Sequence, residues 1–306
     1  MKYYIGIDGG GSKTIFAIAA ENGQFLGTVK AGSAFYKQIG EDGVLELLRN
    51  GVKEVCSFAD GENTQIASIC FGMPAWGESP VNDKILEEKI LKTFPEWNIH
   101  IVNDCEVGWA GSLLAEPGIN IVAGTGSIAF GKNEKGETAR CGGWSEWFGD
   151  EGSGYWLGVK CVQLFSRQSD GRDERGPLYE IVKDELNLSV DEEIIDLFET
   201  EYLHKRDKVA SLQKLLLKAA NGGDTYAIAT YESAAKELYD IICGVKNKIF
   251  KNTDCIVSYS GGIFNVGDLI KRPLAKFLQE NGMMLTEGKA EPYVGATLLA
   301  KYYENK

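Results

Sequence analysis

Apolar residues run in short blocks through the first part of the chain, and glycine or acidic residues close each block. The blocks predict strands over 3–8, 14–20 and 24–30, with Glu21-Asn22-Gly23 turning between the last two. Helical spacing follows over about 41–60, then a strand over 66–71 and a helix over about 79–94. A strand over 99–102 and a helix over 105–115 complete this half. Strands alternating with helices of these lengths predict a mostly parallel sheet with an antiparallel edge.

After Glu116-Pro117-Gly118 the pattern restarts. An apolar run over 119–123, the turn Gly124-Thr125-Gly126-Ser127, a strand over 128–132, a Lys135-Gly136 turn and a strand over 138–141 echo the opening. This internal duplication predicts two related α/β domains, 1–116 and 117–306. The second carries a helical insertion over about 154–250, with helices over 154–166, 177–186, 191–199, 208–220 and 225–250. Ser189 followed by Glu192 fits a capping box. A strand over 254–259, a helix over about 267–281, a strand over 283–286 and a helix over 294–303 close the chain. That last element, about 294–306, is able to pack back on the first domain.

Composition narrows the classes. At 306 residues, two domains are the natural division. A net charge of −12 argues against nucleic-acid or anionic-membrane partners, and any polyphosphate would need local neutralisation. No apolar run is long enough to span a membrane, and no signal-peptide pattern precedes the first strand. The seven scattered cysteines form no C-x-x-C pair, which predicts buried thiols in a reducing, cytoplasmic setting. His100 and His204 are the only histidines and have no evident nucleophile or second ligand, so hydrolytic triads and zinc catalysis are not expected.

Candidate chemistry begins at Asp8-Gly9-Gly10-Gly11-Ser12-Lys13-Thr14, between the first two strands. Glycines let backbone approach a ligand, exposed N–H groups form an anion-binding concavity, and Lys13 adds charge. Asp8 could hold Mg²⁺ directly or through water. A glycine-rich hairpin without a ligand is the alternative for this segment alone. It is not a P-loop, because Ser12 precedes Lys13 and a strand follows. Nor is Gly124-Thr125-Gly126-Ser127-Ile128-Ala129 a dinucleotide fingerprint, since β-like residues follow it where a helix is required.

Asn103-Asp104 follows a strand and opens a helix, so Asp104 is either a helix cap or a group at the ligand-binding ends of the strands. Asp8, the Gly124 turn and Ser260-Gly261-Gly262 also follow strands, and four such turns favour one shared crevice. The segment from Cys141 to Trp156 packs Gly142-Gly143-Trp144, Trp147, Phe148 and Gly149-Asp150-Glu151-Gly152-Ser153 together. Aromatic faces beside carboxylates suit carbohydrate recognition, although a tryptophan-rich domain interface is the alternative.

These motifs, in order over nearly the whole chain, resemble the N-acetylglucosamine kinase group of the BadF/BadG/BcrA/BcrD ATPase family, in the superfamily of hexokinases, actin and the heat-shock chaperone ATPases. The resemblance implies an α/β fold of two ribonuclease-H-like, actin/hexokinase-type domains around a central cleft that binds ATP and sugar. It implies phosphorylation of the 6-hydroxyl of N-acetylglucosamine, with N-acetylmuramate or glucosamine as further acceptors. Gly10, Gly11, Ser12 and Lys13 would meet the phosphates from one side and Thr125 and Gly126 from the other. Gly261, Gly262 and Asn265 would border the adenosine, with Ala220 beside them. Asn103, Gly143, Trp144 and Asp150 would bind the sugar, Asp8 would hold Mg²⁺ through water, and Asp104 would be the base. A homodimer is also implied.

Phe35 stands where relatives carry a sugar-contacting Asn, so that contact does not carry over. Gly72-Met73-Pro74-Ala75-Trp76-Gly77-Glu78 resembles the version found in bacteria that recycle cell-wall sugars, which brings in N-acetylmuramate. Its lactyl carboxylate would be repelled by Asp150, so N-acetylglucosamine is favoured. Two rivals remain. An activator of a CoA-substrate dehydratase or reductase would need cluster-binding cysteines, and a non-catalytic sugar sensor would need an added DNA-binding domain; neither is apparent.

Overall fold

The computed structural model describes residues 1–59, 65–251 and 253–304. The chain divides into two compact units, Met1–Pro117 with Glu287–Lys306, and Gly118–Thr286.

The first unit opens with β1 (Lys2–Gly9), β2 (Thr14–Ala20) and β3 (Phe25–Ala31), an antiparallel meander. Then come α1 (Tyr36–Cys56), β4 (Gln65–Met73), α2 (Pro80–Thr93), β5 (Ile99–Asn103) and α3 (Asp104–Leu113). The five strands lie in the order β3-β2-β1-β4-β5, with β4 parallel to both β1 and β5. Tyr3, Tyr4, Ile5, Gly6 and Ile7 are all buried, as a central strand covered on both faces requires. α1 is interrupted at Gly40 (φ 72°, ψ 164°), so its regular part begins at Glu41. It buries Val44, Leu45, Leu48, Val52 and Val55, the spacing of one helical face, with Gly51 leaving room for the Phe16 ring.

The second unit repeats the plan. β6 (Gly118–Ala123), β7 (Ser127–Lys132) and β8 (Thr138–Gly142) form the meander. The helical part comprises α4 (Gly154–Ser169), α5 (Pro177–Leu186), α6 (Glu193–Leu197), a π-helical turn (Phe198–Tyr202), α7 (Arg206–Ser211), α8 (Gln213–Asn221) and α9 (Thr225–Ile249). β9 (Cys255–Ser260), a 3₁₀ turn (Gly262–Val266), α10 (Asp268–Gln279) and β10 (Met283–Glu287) follow, and α11 (Pro292–Glu304) belongs to the first unit. The strand order β10-β9-β6-β7-β8 places β6 to β10 as β1 to β5 stand in the first sheet, with β9 parallel to β6. Both units are therefore α/β with the ribonuclease-H-like strand arrangement.

Three expectations change. The helix expected over 191–199 is α6 continued by the π-helical turn, and the one over 208–220 is broken at Leu212 into α7 and α8. Leu212 donates to Val209 and accepts from Leu215, three-residue bonds that tighten the backbone there. The capping box is also not formed with Glu192. α6 starts at Glu193, three residues later than the motif requires, and the carboxylate of Glu193 accepts the Ser189 N–H, at 2.7 Å. The expected helix ends at Asp60 and 306 lie outside the described residues. Among the described residues no helix is long and apolar enough to cross a membrane.

Candidate active site

In the first unit, β1, β4 and β5 run parallel, so Gly9, Met73 and Asn103 end on one edge of the sheet. The sheet thereby brings Asp8 and Asp104 to that edge. Between β1 and β2 the Gly10 N–H donates to the Lys13 carbonyl at 2.9 Å, closing the hairpin. The N–H groups of Gly11, Ser12 and Lys13 have no acceptor among the described residues, and all three residues are exposed. None of Gly9, Gly10 or Gly11 adopts positive φ. Gly9 is required by closeness instead, since a Cβ there would lie 2.6 Å from the Gly72 carbonyl oxygen. A Cβ on Gly11 would meet nothing within 4 Å, so the fold itself does not demand glycine there. The Thr14 hydroxyl is spent on the Gly32 carbonyl at 2.8 Å, which pins the hairpin to β3.

Burial pushes the Asp8 carboxyl up to about 6; the Lys13 charge pulls it down and Glu291 pushes it further up. Oxygen donors with surplus negative charge fit a hard divalent cation. Among the described residues no group of three or more His, Cys, Asp or Glu could hold a metal. A cation at Asp8 would therefore have to take its remaining ligands from water and substrate phosphates, the usual habit of Mg²⁺.

Asn103 is the N-cap of α3: its side-chain oxygen accepts the Cys105 N–H at 3.0 Å, and its Nδ2 donates to the Trp76 carbonyl at 2.6 Å. The cap role weighed for Asp104 thus falls to Asn103, leaving Asp104 as the first residue of the helix proper. Burial pushes the Asp104 carboxyl up to about 7, with the Asp8 and Glu78 charges adding to it. The N–H groups of Cys105 and of Asp104 itself pull the other way. A carboxyl that is half-ionised near neutrality is matched to general-base work. Glu78 and Glu291, which tune this pair, carry no local sequence signal.

Phe35 precedes α1 with its N–H on the Ser33 hydroxyl at 3.1 Å, and Lys37 Nζ lies 5.7 Å from the ring centroid.

In the second unit, parallel β6 and β9 end together, bringing the Gly124 and Gly261 turns to one edge. Gly261 has φ 103° and packs so closely on the Ala123 carbonyl that no side chain fits. Gly262 and Asn265 are exposed in the 3₁₀ turn, and Ala220 is buried near the end of α8. The hairpin at 124–126 is tied to the start of α4: the Gly154 N–H donates to Gly124 at 2.8 Å, and the Tyr155 N–H to Thr125 at 3.1 Å. The Thr125 hydroxyl donates to Asp207 at 3.2 Å. The N–H groups of Thr125 and Gly126 have no acceptor among the described residues.

Gly142 at the end of β8 and Gly143, Ser145 and Asp150 in the loop after it adopt positive φ, and the loop leaves Trp144, Trp147 and Phe148 exposed. Left-handed backbone at Ser145 and Asp150 costs on the order of 1 kcal/mol each, a strain that clusters at functional sites. Asp150 is buried, with Oδ1 accepting the Ser127 N–H at 3.1 Å and Oδ2 paired with Arg206. Arg206 and Asp207 escaped the sequence reading because they lie inside the helical insertion, at the start of α7, far along the chain from every motif.

His100 is a packing residue, whereas His204 is exposed. His100 stacks on Tyr303 at 5.0 Å, and His204 lies 5.8 Å from the Trp147 ring. None of the seven cysteines is in a disulfide.

Comparison with known proteins agrees with this architecture. The chain is 30% identical to an N-acetylmuramic acid/N-acetylglucosamine kinase of Clostridium acetobutylicum, over 98% of this chain and 99% of that one. It is 30% identical to an N-acetyl-D-glucosamine kinase of Dictyostelium discoideum, over 97% of each. A solved structure of a candidate N-acetylglucosamine kinase from Chromobacterium violaceum superposes with a TM-score of 0.75 at 24% identity. It covers 98% of this chain and 99% of that one, a likeness of fold. The model of the BadF/BadG/BcrA/BcrD ATPase family matches residues 5–300, and this chain belongs to that family.

Proposed function

We propose that this protein is an ATP-dependent amino-sugar kinase that phosphorylates the 6-hydroxyl of N-acetylglucosamine, with N-acetylmuramate and glucosamine as further acceptors. The observation that carries the reading is the buried Asp104 carboxyl, raised to about 7 beside Asp8 at the end of a parallel strand. The names borne by the two relatives support the substrate class, and one of them includes N-acetylmuramate.

Asp104 accepts the proton of the sugar hydroxyl as its oxygen attacks the γ-phosphorus. The bond from that phosphorus to the β,γ-bridging oxygen breaks, and ADP leaves. In a loose phosphoryl-transfer transition state, aiming the hydroxyl matters as much as removing its proton. The free N–H groups of Gly11, Ser12 and Lys13, with the Lys13 ammonium, bind phosphate oxygens, as do those of Thr125 and Gly126. Gly10 and the hairpin it closes keep that cradle in shape. Mg²⁺ held at Asp8, through water, would neutralise charge on the phosphates. Gly261, Gly262, Asn265 and Ala220 border the nucleoside, and Asn103, Gly143, Trp144 and Asp150 the sugar. A cytoplasmic homodimer serving cell-wall sugar recycling is part of the same reading.

Phosphorus NMR and mass spectrometry of the product test it. A phosphomonoester on O6 of N-acetylglucosamine is expected, and phosphate appearing only as inorganic phosphate would refute the proposal.

A further inference from the structure

Asp150 reaches its ligand role, on the proposed reading, from an unpromising position. Its side chain is 3% exposed, and both oxygens are engaged within the second unit by the Ser127 N–H and the Arg206 guanidinium. What covers it is Arg206, whose own side chain is 42% exposed and whose Nε also lies 3.5 Å from Glu146. A sugar hydroxyl can therefore reach Oδ2 only by displacing the guanidinium.

The guanidinium has a second neighbour. Its Nη2 occupies the space into which a Cβ on Gly126 would project, so it rests against the very turn whose Thr125 and Gly126 N–H groups lack acceptors. The next residue, Asp207, takes the Thr125 hydroxyl at 3.2 Å and fixes the base of Arg206 to that turn. Arginine is the side chain best fitted to exchange a carboxylate for a phosphate, because one planar fork of donors matches both. In a chain of net charge −12, a cation already touching the phosphate turn is a scarce resource.

We propose that Arg206 is a transferable cation: it pairs with Asp150 while the sugar is absent, and passes to the phosphoryl oxygens at the Thr125–Gly126 turn when a sugar hydroxyl takes over Asp150. The proposal rests on the kinase reading and on its assignment of Asp150 to sugar and Gly126 to phosphate. It makes sugar binding the event that releases the cation, and so keeps ATP hydrolysis low without sugar. Sugar affinity is correspondingly lowered, since the hydroxyl competes with an ion pair.

Steady-state kinetics of R206A and R206Q, with R206K alongside, test this. Removal of one preorganised donor to a transition state typically lowers kcat by about 10²–10³-fold. The expected result is a fall in kcat of at least about tenfold, with the sugar KM unchanged or lower and R206K retaining more kcat than R206A. A merely structural role for Arg206 gives the opposite sign, because a disordered Asp150 weakens sugar binding. A smaller fall in kcat, or a raised sugar KM in a variant whose melting temperature shows it folded, overturns the proposal. R206Q keeps a hydrogen bond to Asp150 if R206A does not fold. The wild type is the control for the underlying reading: no sugar phosphorylation by it would remove the kinase assignment itself, whereas an active wild type with fully active variants removes only the role of Arg206.

Discussion

The phenol of Tyr303 donates a 2.9 Å hydrogen bond to the Glu106 carboxylate, tying the last helix of the chain to the first turn of the helix that begins at Asp104. Gly111 and Gly295 let the same two helices approach so closely that neither could carry a Cβ. The C-terminal segment is thus a buttress for α3. Tyr303→Phe should destabilise the protein by about 1 kcal/mol, the net worth of one partly buried hydrogen bond. A urea midpoint shifted downward at unchanged slope would register it; an unmoved midpoint would remove the buttress from the account.

Asp104→Asn should lower the rate of phosphoryl transfer by about 10²–10⁴-fold while leaving nucleotide binding intact. The wild-type rate should carry the titration of the same group. A base whose carboxyl lies near 7 is protonated and inactive at lower pH, so kcat/KM should fall as pH drops below about 7. A profile flat between pH 5.5 and 8 would exclude Asp104 as the base.

The same carboxyl sets a pH dependence of stability. Its folded value, about 7, lies above its unfolded value near 3.9, so its stabilising contribution is complete below pH about 4 and is lost as pH rises through 7. Asp8, raised to about 6, acts in the same sense. Asp104→Asn should therefore be more thermostable than wild type at pH 8, with the advantage shrinking toward pH 5. Melting curves at both values decide it, and an advantage that grows on acidification would contradict the sign.

Two glycines separate function from folding. Gly261→Ala places a side chain at φ 103° against the Ala123 carbonyl and should cost more than about 1 kcal/mol of stability. Gly11→Ala meets no protein atom, so its melting temperature should stay near wild type while KM for ATP rises severalfold. Equal stability losses in the two variants would show that Gly11 is structural after all.

Much of this was legible in the chain itself. Strands announced themselves because those buried on both faces, such as β1 and β6, must be nearly continuous apolar runs, and glycine turns ended them. The repeat of hairpin and turn foretold the matching sheet orders. The helical insertion was less legible: nothing in Leu-rich sequence around Leu212 distinguishes a tightened turn from a continuous helix. At the site, Asp8 and Asp104 could be read from their places after strands, but Glu291, which perturbs Asp8, returns only with the C-terminal segment. Arg206 was equally hidden, since its pairing with Asp150 is a property of tertiary structure alone.

The central claim, transfer of a phosphoryl group from ATP to an amino sugar, is tested most directly by ADP release measured with and without acceptor. Release that depends on N-acetylglucosamine and equals the sugar phosphate formed is expected, with little hydrolysis in its absence. Turnover that is the same with no sugar present, or absent with N-acetylglucosamine, N-acetylmuramate and glucosamine alike, would contradict the account.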